Sequence, residues 1–346
     1  MMRLLTTIVL LAMLGATGHT CSTFCIDLGG KRLFGRNYDF EIGEGLLMSN
    51  PAGLQKRGGQ PKGPAWTARF GSVTFNQFGR DNPMGGINTA GLVVELMWLD
   101  EAKYPAADAR SPLGVLEWIQ YQLDTAASVD DVLANDEKVR INGQVPLHYL
   151  VSDRAGRTAA IEYLDGRLVA HRDSALPIPV LTNSTYRDSL AFARNREGRT
   201  PRGSGSLERF ARASAELARL EKNAPADPLA AAFAVLQSVA QGNTRWTILY
   251  DQTGGTVHFR TATHDGIRTV HLAGLDFSCS GGVRMLDLDA RLTGDVTARL
   301  QPYASAVHLA MLRKNYAASS VTRSTPEDEV RAIATRPEKS ACVTGA

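Results

Sequence analysis

Residues 21–40 read CSTFCIDLGGKRLFGRNYDF. Two β-rich runs, 21–27 and 32–39, flank Leu28-Gly29-Gly30-Lys31, and a glycine pair between such runs predicts a hairpin. A strand rises about 3.3 Å per residue, so the turn folds Arg36 back level with the first residues of the leading strand. Cys21, Arg36 and Asp39 then meet at one end of the hairpin. A thiol beside a guanidinium ionises more readily than a free one, and Asp39 adds a carboxylate that accepts hydrogen bonds. On these grounds alone, Arg36 and Asp39 fit a satisfied surface ion pair equally well.

What precedes Cys21 sharpens the question. Arg3, an apolar stretch over 4–14 and the small residues of GATGHT have the form of a secretory leader, assigned to residues 1–20. Its apolar core is too short to span a bilayer, and no later run reaches about 18 apolar residues. A membrane-anchored N-terminus is the alternative. With the leader removed, the expectation is an exported protein, periplasmic or secreted, with no stable membrane insertion. Cys21 would then be residue one, its thiol beside a free α-amino group with a reference pKa of about 7.7–8.0. Such an amine can act as base toward its own side chain, so one residue supplies nucleophile and base together. No catalytic histidine is then needed. Lipid attachment would also begin at this cysteine and would block the amine, but Gly18-His19-Thr20 lacks the small or aliphatic residues that attachment requires.

At 346 residues, with 44% hydrophobic and 21% charged residues, the chain has ordinary globular composition and room for one large domain. A net charge of +3 without a basic run argues against nucleic acid as a partner. The four cysteines, Cys21, Cys25, Cys279 and Cys342, are too sparse for a disulfide scaffold. Cys279 with Cys342 is offered as a bridge, and Cys25 as a small core residue.

Strands are expected at 68–77, 91–98, 148–152, 158–163 and 179–183. A helix is expected from Pro112 through VLEWIQYQL, and another from 130–133. Leu207, Phe210, Leu217 and Leu220 recur at helical spacing after Ser206, read as an N-cap. Asp227-Pro228 opens a further helix. RWTILYD, TVHFRTA and IRTVHLA read as three strands, and 303–316 as a last amphipathic helix. The domain is placed at 21–316, and 317–346 is read as a mobile tail. Mixed strands with grouped helices indicate an α+β layered fold.

Cysteine at the mature N-terminus, a hairpin and then F-G-R-N-x-D resemble the start of the choloylglycine hydrolase family, which holds the bile salt hydrolases and penicillin V acylases. That family belongs to the N-terminal-nucleophile hydrolases. Further segments carry the resemblance on: GGINTAGL, VLTNST and SLERF match the family's G-x-N-x-x-G-L, V-L-T-N and S-x-x-R-F patterns, and the later run TVHFRTATHDGIRTVHLAGLDFS resembles its closing strands. The resemblance implies a four-layer αββα sandwich with two antiparallel sheets. It implies a site of Cys21, Arg36, Asp39, Asn88, Asn183 and Arg209, acting on a linear amide C–N bond of a small-molecule N-acyl substrate. No metal or organic cofactor is implied, and a homo-oligomer is compatible with it. RNYDFEIGEGL looks closer to other linear amide hydrolases than to either the bile salt hydrolases or the penicillin V acylases.

Each assignment has a plainer rival. Asn88 and Asn183 also fit turn asparagines, and Asn183-Ser184-Thr185 is a glycosylation sequon, which would exclude a site role. As site residues, both asparagines are oxyanion donors. Arg209 also fits a solvated helix arginine. Leu46, Leu47 and Met48 are the expected acyl-pocket residues. Conjugated bile acids and acid-ceramidase-like chemistry are the alternatives within amidases; a lipid-anchored binding protein is the non-enzymatic one.

Overall fold

The hairpin forms around its glycines. In the structure, a computed structural model that describes residues 20–196 and 201–343, Ser22–Leu28 pairs antiparallel with Lys31–Asp39 and sets Thr23 opposite Arg36. Gly29 and Gly30 take φ of +56° and +75°, which residues lacking a Cβ adopt at little cost. Apart from Thr20, the expected leader lies outside the described residues.

The hairpin sits inside a seven-stranded sheet. Its order runs Val180–Leu181, Ser22–Leu28, Lys31–Asp39, Thr244–Asp251, Thr256–Thr261, His264–His271 and Gly294–Asp295. A nine-stranded sheet faces it, with Leu147–Ser152, Val93–Trp98, Pro83–Asn88 and Ser72–Asn76 as consecutive central strands. Alternation along Lys31–Asp39 explains how both faces are used. Asn37 points to the helix side, where its Nδ2 donates to the Leu236 carbonyl at 2.7 Å. Arg36 and Tyr38 point to the other sheet, reaching Glu95 and Gln77. Ser206–Lys222 and Pro228–Ser238 cover the first sheet, and Val115–Thr125 packs on the second. The result is the expected αββα layering, and Cys25 is buried in its core.

The helices follow their sequence signals with two adjustments. Asp227 caps Pro228–Ser238 by accepting from the Leu229 and Ala230 amides, both at 3.0 Å. Phe210, Ala213, Leu217 and Leu220 form the buried stripe of Ser206–Lys222. Ser206 is not its cap: Gly205 holds that position, and the Ser206 hydroxyl turns to the Asn183 loop instead. Pro112 likewise does not open a helix. It lies in the short strand Ser111–Leu113, and Val115–Thr125 begins after Gly114.

Residues after 316 depart most from expectation. The last helix runs Ser305–Ala318, and the described part of the expected mobile tail folds onto the body. It contains the helix Glu327–Thr335, with Val330 and Ala334 buried. Cys342 is bonded to Cys279, and Ala341–Cys342 adds a strand beside Leu54–Arg57. A polar average composition hid two apolar positions four residues apart, enough to seat one helical face.

Candidate active site

Cys21 immediately precedes the first strand and is 4% exposed. Its sulfur lies 3.9 Å from the Asp39 carbonyl oxygen and 3.8 Å from Arg36 Nη2. Burial pushes the thiol above its ordinary range; Arg36 pulls it down and Asp39 pushes it further up. A buried neutral thiol therefore waits beside a fixed cation.

Arg36 and Asp39 are buried, not a surface pair. Arg36 Nη1 donates to the Met84 carbonyl at 2.9 Å and pairs with Glu95. Its guanidinium carbon lies 5.1 Å from the centre of the Tyr38 ring, within cation–π range. Asp39 Oδ1 accepts from the Thr244 hydroxyl at 2.5 Å, whereas Oδ2 is buried without a hydrogen-bond partner among the described residues. Burial pushes the Asp39 carboxyl up to about 6, against the pull of Thr244, Arg209, Arg36 and Thr20.

Arg209 is fully buried, not a solvated helix arginine. Its Nη1 donates to the Cys21 carbonyl at 2.7 Å, the Ser22 hydroxyl at 2.7 Å and the Thr20 carbonyl at 3.3 Å. Its Nη2 donates to Asn183 Oδ1 at 2.8 Å. Asn183 Nδ2 in turn donates to the Trp98 carbonyl at 2.9 Å, an inward arrangement that a glycan on this nitrogen would break. One guanidinium thus ties the start of the first strand to the asparagine turn.

Asn88 is not part of this cluster. Both of its amide hydrogens serve the end of Val115–Thr125, reaching the Leu123 carbonyl at 2.9 Å and the Ala126 carbonyl at 2.8 Å. Its Oδ1 accepts from the Leu92 amide at 3.0 Å. Met84 touches Arg36 at one end of Pro83–Asn88, and Asn88 closes the other, about 13 Å further along the strand. The residue is a brace for a helix end.

An apolar cavity of about 130 Å³ opens over Cys21. Tyr38, Phe40, Phe78, Met84, Leu96 and Trp98 line one part of it, and Val115, Leu116, Val145 and Leu147 another. Tyr316, Val321 and Thr322 complete the wall from the far end of the chain. Leu46, Leu47 and Met48 do not line it. Leu46 and Met48 pack with Met285 in a separate small cluster, and Leu47 belongs to the main core. Strand alternation sends neighbouring residues to opposite faces, so an apolar triplet in one strand cannot line a single pocket.

Sequence reasoning passed over several supports. Glu95 interrupts the apolar run 91–99, a signal in itself, because a lone carboxylate there needs a buried partner. Behind the asparagine turn, His148 Nε2 donates to the Thr182 carbonyl at 2.8 Å while its Nδ1 faces Glu162 at 3.3 Å. Burial pushes the Glu162 carboxyl up, but hydrogen bonds from His148 and His171 outweigh it and bring it down to about 2. Among the described residues, no group of three or more His, Cys, Asp or Glu is placed to hold a metal, and no helix is long and apolar enough to cross a membrane.

Residues 21–206 match the model of the linear amide C–N hydrolases, choloylglycine hydrolase family. The chain belongs to this family. A penicillin V acylase of Pectobacterium atrosepticum is 31% identical over 283 residues, which cover 67% of this chain and 74% of that protein. The structure of penicillin V acylase from Agrobacterium tumefaciens superposes with a TM-score of 0.74 at 26% identity, covering 82% of this chain and 98% of the other. A variant of conjugated bile acid hydrolase from Clostridium perfringens shares the fold, with a TM-score of 0.68 at 18% identity over 79% and 98% of the two chains. The protein is therefore an α+β hydrolase of the N-terminal-nucleophile superfamily, acting on carbon–nitrogen bonds other than peptide bonds.

Proposed function

We propose that the protein is an exported amidase whose leader is cut before Cys21, freeing an α-amine that serves as base for the adjacent thiol. The observation that carries this reading is the placement of the Cys21 sulfur, 3.8 Å from Arg36 Nη2 and at the edge of an apolar cavity. In the precursor, Asp39 Oδ2, which has no hydrogen-bond partner among the described residues, is an acceptor available to the new amine.

The reaction begins when the amine takes the thiol proton, with Arg36 stabilising the thiolate. The sulfur attacks the amide carbonyl, forming a C–S bond and an oxyanion. An amide side chain carries two donor hydrogens; one of Asn183 serves Trp98, and we assign the other to the oxyanion. The protonated amine delivers its proton to the leaving nitrogen as the C–N bond breaks, leaving a thioester. Water, deprotonated by the same amine, adds to the thioester and releases the acid.

Cavity size favours a small acyl group. An engineered apolar cavity of about 150 Å³ takes up benzene, so about 130 Å³ suits an aromatic ring or a short-to-medium alkyl chain. The fused rings of a bile acid exceed that volume and would have to extend through the open mouth of the cavity. An aryloxyacetyl amide such as penicillin V fits the dimensions and agrees with the two penicillin V acylases among the similar proteins.

The test pairs the mass of the mature N-terminal peptide with hydrolysis of an amide series by the purified protein. A free Cys21 terminus and preference for aryl-acyl amides over glycine-conjugated bile acids are expected. Active material that begins elsewhere, or carries a capped amine, overturns the mechanism. Preference for the conjugated bile acid overturns the substrate assignment alone.

A further inference from the structure

Glu95 has no assigned part in the chemistry above, yet its site is specially built. The side chain is 1% exposed and pairs with Arg36 Nη1. Its Oε1 accepts from the Tyr250 hydroxyl at 2.5 Å. Directly across the ladder stands Gly85. A Cβ at that position would lie 2.0 Å from Glu95 Oε2, so the carboxylate occupies space that any other residue would fill. A buried ion pair is a weak source of stability, because desolvating two charges offsets most of their attraction. Its value here must lie elsewhere.

The two terminal nitrogens of Arg36 divide their work. Nη1 faces Glu95 and Met84, and Nη2 faces the Cys21 sulfur. The other charged or titratable groups acting on that sulfur are Asp39, Arg209 and Tyr38. We propose that Glu95 is a positioning residue that aims the Arg36 guanidinium at the Cys21 sulfur and offsets its charge, so that the sulfur remains a thiol until the base takes its proton. A bare arginine would favour permanent thiolate, which oxidises readily and attacks electrophiles indiscriminately. The carboxylate leaves enough field to steady the anion once it forms.

This inference rests on Cys21 as nucleophile, but its test needs no turnover. Iodoacetamide labelling of Cys21 is followed against pH in the wild type, Glu95→Gln, Arg36→Gln and the double variant. Labelling is read by mass on the Cys21 peptide, because Cys25 is also a free thiol. In Glu95→Gln the amide oxygen can face Arg36 while the amide nitrogen donates to the Tyr250 oxygen, so size is kept and the charge is lost, at the cost of the acceptor that the Tyr250 hydroxyl now has.

A fall of one unit in thiol pKa raises the thiolate fraction about tenfold and lowers its intrinsic nucleophilicity about threefold, for a net gain of about threefold. Glu95→Gln is therefore expected to label about threefold faster than wild type at pH 7. Arg36→Gln should label more slowly, and the neutral double variant should return to within about twofold of wild type. A Glu95→Gln rate equal to wild type, or a double variant as slow as Arg36→Gln, overturns the proposal. If Glu95→Gln fails to fold, the comparison of the double variant with Arg36→Gln still decides. If both single variants fail, the double variant must match wild type, and a slower rate refutes the charge offset.

Discussion

Replacing Cys342 with serine tests whether the far end of the chain builds the acyl cavity. The bond to Cys279 spans a separation of 63 residues. Loop-closure entropy for a ring of that length gives about 4 kcal/mol of stabilisation through the unfolded state. The segment has other anchors in the native state. Tyr316 donates to the Phe78 carbonyl at 3.0 Å, Asn315 to the Gln77 carbonyl at 3.0 Å, and Arg336 pairs with Glu117 at 2.7 Å. The fold should therefore survive, with a melting temperature lower by about 6 °C in non-reducing buffer. Val321 and Thr322, which wall the cavity, lie in the loosened stretch. KM for an aryl-acyl amide is expected to rise about threefold or more, with kcat nearly kept, the signature of lost uniform binding. Wild type under reductant should copy the variant, and Cys279→Ser/Cys342→Ser should add nothing further. A loss below about 1 kcal/mol with KM unchanged would refute both the entropic account and the role of residues 316–322 as a wall.

Three other outcomes separate catalytic from structural roles. Asn183→Ala is expected to lower kcat by about 100-fold or more in steady-state assays, as loss of an oxyanion donor does, with a smaller stability loss of about 1 kcal/mol because Arg209 and the Trp98 carbonyl each lose a partner. Asn88→Ala should do the reverse, losing about 2 kcal/mol or more in denaturant titrations because two buried carbonyls lose their donor. The Asp39 carboxyl, raised to about 6, is neutral below that pH and charged above it. A pH profile of kcat/KM should therefore show a further fall as pH drops through about 6, below the decline set by protonation of the α-amine, and residual activity in Asp39→Asn should keep the amine limb and lack this second step.

The hairpin was legible because Gly29-Gly30 takes at little cost the positive φ that a tight turn needs, and its register fixed where Arg36 and Asp39 had to lie. Arg209 was legible only through its motif, because its partners Cys21, Ser22 and Asn183 come from distant parts of the sequence. Asn88 shows the opposite failure. Its motif was read correctly as a pattern, but its task is to satisfy carbonyls at the end of a helix that begins about thirty residues later, and no local spacing encodes that. Glu95 carried a readable signal in its apolar strand, yet the partner was unknowable before two sheets were stacked. The cavity wall at Tyr316, Val321 and Thr322 was hidden because Val321 and Thr322 sit in a turn of a polar stretch, where no periodicity marks a buried side chain.

Arg209 grips the Cys21 carbonyl across an interval of 188 residues. Well over half of the chain must therefore be in place before the cradle for Cys21, the proposed nucleophile, exists. Any premature cut ahead of Cys21 would yield an amine with nothing to seat it, and a truncated product would stay inert. Under the proposed mechanism the interval would act as a completion check, making assembly of the middle of the protein a precondition for arming its beginning.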